Sequence, residues 1–166
     1  MKKLISVSAV VWVTLFISIW AFAVSRGGEG RAVLRGLEGV RVVVERLKPE
    51  IERDGLFGST LQTDAELSLQ MAGIKVLSEE EWLKTPGAPY LYLKVNAFQC
   101  ARGYVYNITL TLEEQVTLVR NGLKVSATTS TIGHQLGITS SLSDIRGEAR
   151  DQVEEFVKAW QEANRK

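Results

Sequence analysis

The side chains best suited to chemistry are few in this chain. His134 is the single histidine and Cys100 the single cysteine among 166 residues, so a metal centre or catalytic site built from several imidazoles or thiolates is not available. A lone thiol also has no internal partner in an oxidising compartment, which leaves stability to packing. Serines and acids are plentiful enough to write a Ser, His134, Asp triad, but no GxSxG elbow presents a nucleophile. A phosphate-cradling P-loop, a glycine-rich dinucleotide fingerprint and an HExxH pair are likewise missing. Glu79, Glu80 and Glu81 place three carboxylates in a row. Successive helical residues point about 100° apart, so the three cannot converge on one cation. The sequence therefore offers no catalytic, cofactor-binding or metal-ligating set.

What it offers instead is a binding type of chemistry. Tyr90, Tyr92 and Phe98 alternate with Lys94 and Asn96 on one side of a predicted strand, which is more aromatic than a plain solvated face. Amphipathic aromatics beside a cation suit a protein interface, and Tyr90, Tyr92, Lys94 and Phe98 form the candidate partner-binding patch. A competing reading has the segment Ser78 to Lys84, carrying Trp82, fold over these rings and cover them. The second candidate is a pocket near a Gly- and Ser-rich loop, Gly133 to Ser143, with His134 among its polar groups. Asn107, Ile108 and Thr109 spell a glycosylation sequon, but inside a predicted strand.

These residues must be positioned by a sheet. Pro89 to Ile132 reads as three antiparallel strands with one shared apolar face. Asn121 and Gly122 separate two alternating runs, which predicts a two-residue type I′ turn placing Leu118 opposite Val125, Val116 opposite Ala127 and Glu114 opposite Thr129. A turn through Cys100 to Gly103 places Leu91, Leu93, Val95 and Ala97 opposite Leu112, Leu110, Ile108 and Tyr106. Val125 to Ile132, dense in Ser and Thr, is a candidate sheet edge able to accept a partner strand.

Upstream, Val40 to Leu47 alternates as a strand that Pro49 ends. Ser59 with Gln62 resembles a capping box opening a helix through Ala72, which Gly73 stops, with Leu61, Ala65, Leu69 and Ala72 as its apolar stripe. Ile74 to Leu77 follows as a short strand. Together these make a βαβ unit with parallel strands. Ser78 and Glu81 cap a short helix whose acids sit at its electropositive end. The chain closes on a long amphipathic helix from an N-cap at Ser143. Ile145, Ala149, Val153, Phe156, Val157, Trp160 and Ala163 step along one side of it, and Arg150, Asp151, Glu154, Glu155, Lys158 and Glu162 occupy the other. The fold class expected is thus α+β: a mixed sheet of about five strands, βαβ followed by a three-stranded meander, with two long helices on one face.

Lys2 and Lys3 precede an uncharged run from Leu4 to Val24 that ends in Ala21, Phe22, Ala23. A positive n-region, an apolar core and a small-x-small site read as a signal peptide over residues 1–23, cut between Ala23 and Val24. The run is nearly long enough to span a bilayer, so residues 4–24 kept as an inner-membrane anchor is the alternative. Either outcome exports a domain over residues 38–166, behind a glycine-bearing linker at 24–37. With 20 basic and 19 acidic residues interspersed, no basic stripe suits nucleic acid.

The stretches AGIKVLSEEEWLKTPGAPYLYLKVN, VTLVRNGLKVSATT and SDIRGEARDQVEEFVKAW resemble a family of small, uncharacterised exported bacterial proteins. The element order is also similar to the TolB amino-terminal domain, the curli secretion lipoprotein and the penicillin-binding-protein activator lipoproteins. This resemblance implies a periplasmic interaction or adaptor module without a cofactor, whose partner is another envelope protein and whose membrane contact is confined to the amino-terminal segment. The chain departs from those lipoproteins in having no cysteine at the end of its apolar run. The other function class the sequence leaves open is a small periplasmic ligand-binding protein or hydrolase using the His134 loop.

Overall fold

The structure, a computed structural model, describes residues 32–165. The signal or anchor segment and its Ala23–Val24 junction lie outside the described residues. Among those described, no helix is long and apolar enough to cross a membrane.

Five strands form one mixed sheet. They are β1 (Gly39–Val44), β2 (Lys75–Val76), β3 (Tyr90–Cys100), β4 (Gly103–Thr117) and β5 (Lys124–Thr139), in spatial order β2-β1-β3-β4-β5. β1 runs parallel to both β2 and β3, while β3, β4 and β5 are antiparallel neighbours. Four helices lie among the described residues: α1 (Pro49–Arg53), α2 (Gly58–Met71), α3 (Glu79–Lys84) and α4 (Leu142–Ala163). The two long ones, α2 and α4, pack side by side on one face. This is the expected α+β architecture.

The alternation of each strand decides which side those helices meet. Val40 and Val42 of β1, Leu91 to Ala97 of β3 and Tyr106 to Leu112 of β4 turn their apolar positions to the same side and are buried there. The β3–β4 register is the one the sequence specifies, Leu91 opposite Leu112 through Ala97 opposite Tyr106. From α4, Ile145, Ala149, Val153 and Phe156 enter that layer, with Val157, Trp160 and Ala163 packed against it. Phe156 shares the core with Ile108 and Leu110 and is fully buried. Each such side chain contributes about 1.5–3 kcal/mol of burial before the entropy of ordering it is subtracted. Leu34, within the stretch read as linker, is buried in the same core. Asn164 holds that segment down, its amide donating to the Leu34 carbonyl (2.9 Å) and its oxygen accepting the Gly36 N–H (2.8 Å).

Several local expectations are corrected. β1 ends at Val44 rather than Leu47, and Pro49 opens α1, because proline at the first helical position costs no hydrogen bond. No Ser59–Gln62 capping box forms: Phe57 is the N-cap residue without a side-chain bond, and Gln62 donates forward to Glu66 (2.8 Å). The stop at Gly73 stands. Its φ is +79°, its N–H reaches the Gln70 carbonyl, and the Ile74 N–H reaches that of Leu69, a Schellman ending.

The Asn121–Gly122 turn is also longer than predicted. Only Gly122 has positive φ (+69°), whereas a type I′ turn needs two such residues. Leu118 donates to Leu123 (2.8 Å), closing a loop over Val119–Gly122, while the Asn121 side chain accepts the Leu123 N–H (3.2 Å). Val116 consequently faces Val125, and Glu114 faces Ala127. Single-residue bulges at Thr129 and Ile132 then restore the offset, so that Tyr106 faces Gly137. Finally, Gly133 to Thr139 is not loop but the second half of β5, and Ser141 rather than Ser143 caps α4, accepting the Ser143 N–H (3.2 Å).

Candidate functional site

With α2 and α4 on one face, the opposite face of the sheet remains, and every residue of the predicted patch lies on it. Alternation from buried Leu91 and Leu93 sends Tyr90, Tyr92, Lys94 and Phe98 there together. They do not, however, make one site. Tyr90 and Phe98 are eight residues apart along a strand, about 27 Å at the rise of an extended chain.

The Tyr90 end is concave. The Ser78–Glu81 capping box forms as read, the Glu81 N–H donating to the Ser78 hydroxyl (3.3 Å) and the Ser78 N–H to the Glu81 carboxylate (3.0 Å). Lys75 adds an ion pair to Glu81 at 2.7 Å. This ammonium and the Ser78 donors bring the Glu81 carboxyl down to about 2. The cap is therefore complete above the ordinary carboxylate range and is lost only as pH falls toward that value. So anchored, α3 directs Trp82 onto the sheet. Its indole N–H donates to the Ala88 carbonyl (2.6 Å), fixing the loop that leads into β3. Its ring meets Tyr90 edge-on at 6.0 Å, and Tyr90 meets Tyr92 edge-on at 6.5 Å. The Arg41 guanidinium of β1 lies 5.2 Å from the Trp82 ring centre and pairs with Glu79 (3.3 Å).

The three rings and Arg41 form one wall of a cavity of about 340 Å³. Gln115 of β4 and Ser126 of β5 also line it, with an amide and a hydroxyl. Trp82 thus packs over Tyr90, as the covering reading has it, and lines a cleft with it.

Tyr92 is the fixed point of this cleft. Its hydroxyl donates to Glu45 (2.6 Å), and Lys94 pairs with the same carboxylate at 3.2 Å. The Glu45 hydrogen bond, reinforced by burial, pushes the Tyr92 phenol up to about 12, and the same bond holds Glu45 below the usual carboxylate range. A phenol raised in the folded state stabilises the protein below the ordinary tyrosine range, and that contribution disappears as pH rises through about 12. Tyr104, bonded to Asp54, and Tyr106, buried, are raised as well, so titrating phenolate absorbance should show late tyrosine ionisation whose component near 12 Tyr92→Phe removes, one tyrosine's worth of amplitude; a late amplitude unchanged in the variant would refute the Glu45 bond.

At the far end Phe98 is 53% exposed, with the Lys48 ammonium 3.4 Å from its ring centre. Its neighbours across the sheet were not legible as a patch. Phe98 faces Val105, which faces Ile138, and Leu136 stands beside Ile138, both 67% exposed. Alternation in β4 and β5 could have flagged these residues had Gly133 to Thr139 been read as strand. Arg41, Glu45, Gln115 and Ser126 were missed because the parallel β1–β3 pairing and the hairpin register are both non-local.

The loop read for the second candidate is strand instead: Gly133 to Thr139 pairs residue for residue with β4, and His134 is exposed opposite Thr109. Cys100 is exposed at the opposite end of β3 from Tyr90. Among the described residues, no group of three or more His, Cys, Asp or Glu side chains could hold a metal ion.

No protein-family model matches this chain, and no curated protein sequence does. Among solved structures the chain is similar to PelC from Paraburkholderia phytofirmans, determined as a dodecamer. The two share 20% identity over 75% of this chain and 92% of that one, with a TM-score of 0.40. A likeness at that level bears on neither fold nor function, which rest on the residues described above.

Proposed function

We propose that this chain is an exported, non-enzymatic binding module of the cell envelope that works through the helix-free face of its sheet. The observation that carries this is the Trp82–Tyr90–Tyr92 cleft. Its lining comes from β1, α3, β3 and the β4–β5 ribbon, and three of its side chains are held by neighbours: Trp82 by Ala88, Tyr92 by Glu45, Arg41 by Glu79. A rigid aromatic surface loses little conformational entropy when a partner seats on it, which is what recognition requires. At about 340 Å³ the cleft lies at the small end of ligand pockets and suits one or two side chains of a protein partner. Lys2, Lys3 and the apolar run ending at Ala23 support export, so the partner sought is another envelope protein.

A photo-crosslinking residue at Ser126, on the rim of the cleft, tests this in intact cells, with one at Glu155 on the exposed side of α4 as control. The expected result is a discrete adduct from position 126 that Trp82→Ala with Tyr92→Ser removes, and no such adduct from 155. An adduct at 126 that survives both substitutions would show that the cleft is not the binding surface.

A further inference from the structure

We infer that this chain pairs with a second copy of itself along β5, over Gly133–Thr139, about a two-fold axis at Gly137. β5 is an edge strand, bonded to β4 on one side and to no other strand among the described residues. An open edge is a template for another strand, and proteins normally blunt it with charge, proline or bulges. Both bulges of β5, at Thr129 and Ile132, lie before this segment, and Gly133–Thr139 contains no Lys, Arg, Asp, Glu or Pro. Beside the exposed His134 it presents two apolar side chains. Leu136 and Ile138 are each 67% exposed on the helix-free face, at the end of the row Phe98, Val105, Ile138.

The strand's own sequence selects the occupant. Opposed residues in an antiparallel pair share a face, so a symmetric pairing must set one residue against its own copy. With Gly137 at the axis, Leu136 faces Ile138 of the second copy twice over. The exposed apolar row then runs on across the junction, while Gln135 meets Thr139 on the helix side. With Leu136 at the axis, Ile138 would face His134 instead. The first register matches apolar with apolar and polar with polar at each of these pairs. It makes a ten-stranded sheet from two copies of the five-stranded one.

Full-length chains carrying Leu136→Cys or Ile138→Cys, each with Cys100→Ser and a distinguishable tag, test both the pairing and its register. Directly opposed residues in such a pair lie within disulfide reach, whereas Leu136 and its own copy lie diagonally beyond it. Mixing the two variants under oxidation should give the mixed dimer in several-fold excess over either variant alone. The mass of the otherwise natural chain by light scattering should halve with Ile138→Lys, a change at an exposed position that leaves the core intact. Crosslinking by Leu136→Cys alone, absence of the mixed dimer, a mass unaffected by Ile138→Lys, or crosslinking only to a different protein would each overturn the proposal.

Discussion

Replacing Phe156 with alanine should lower the unfolding free energy by about 3–5 kcal/mol, read from the urea midpoint at unchanged slope. The ring has no exposed surface, and it enters the core from α4 where that helix crosses β4, sharing the cluster with Ile108, Leu110 and Val153. Removing it takes away the transfer free energy of an aromatic side chain and leaves a cavity among groups held by sheet and helix, which collapse poorly into it. A domain of ordinary stability has about 5–15 kcal/mol in total, so the variant sits near the threshold of folding. Glu155→Ala, next in the chain but on the exposed side of α4, should change stability by less than about 0.5 kcal/mol. Equal effects at the two positions would mean that α4 is not seated on the sheet as described.

The outcome at Phe156 could be anticipated because a three- and four-residue periodicity is local information. The same holds for the β3–β4 pairing, the Ser78–Glu81 cap and the Gly73 stop, all of which form as the sequence specifies. What escaped was set by tertiary contacts. Gly133 and Gly137 read as loop residues, yet both face the helix side of β5, where the Tyr106 ring leaves no room for a side chain at Gly137 and the Gln152 side chain would have to shift for one at Gly133. A Cβ on Gly137 would fall 2.5 Å from the Tyr106 hydroxyl, and one on Gly133 would overlap the Gln152 amide. The aromatic stripe from Tyr90 to Phe98 was visible. That Glu45 and Arg41 would organise only its Tyr90 and Tyr92 end was not, since a parallel β1–β3 pairing joins residues more than forty positions apart. Trp82 sits between the two cases: its helix is local, while its landing site on Ala88 and Tyr90 depends on the path of the loop.

The count of bulges in β5 can be checked at a distance, through Gly103. This residue faces Cys100 at the end of the β3–β4 hairpin with φ +116°, a conformation that L side chains rarely adopt. A Cβ there would lie 2.2 Å from the Thr139 carbonyl oxygen and 2.6 Å from the Ser140 Cα, both backbone atoms that cannot rotate away. Backbone strain of about 1–3 kcal/mol and overpacking of a similar size add, so Gly103→Ala should cost about 2–6 kcal/mol in a denaturation experiment. Gly122 supplies the comparison, having φ +69° but nothing within 4 Å of an added Cβ. Gly122→Ala should cost only the left-handed backbone conformation, about 1–2 kcal/mol. The difference between the two variants measures how closely the end of β5 approaches the hairpin. That approach exists because Thr129 and Ile132 bulge and bring Thr139 opposite Tyr104. If the two alanines cost the same, Thr139 does not lie against Gly103, the bulges are miscounted, and Leu136 and Ile138 need not share the face that carries Phe98.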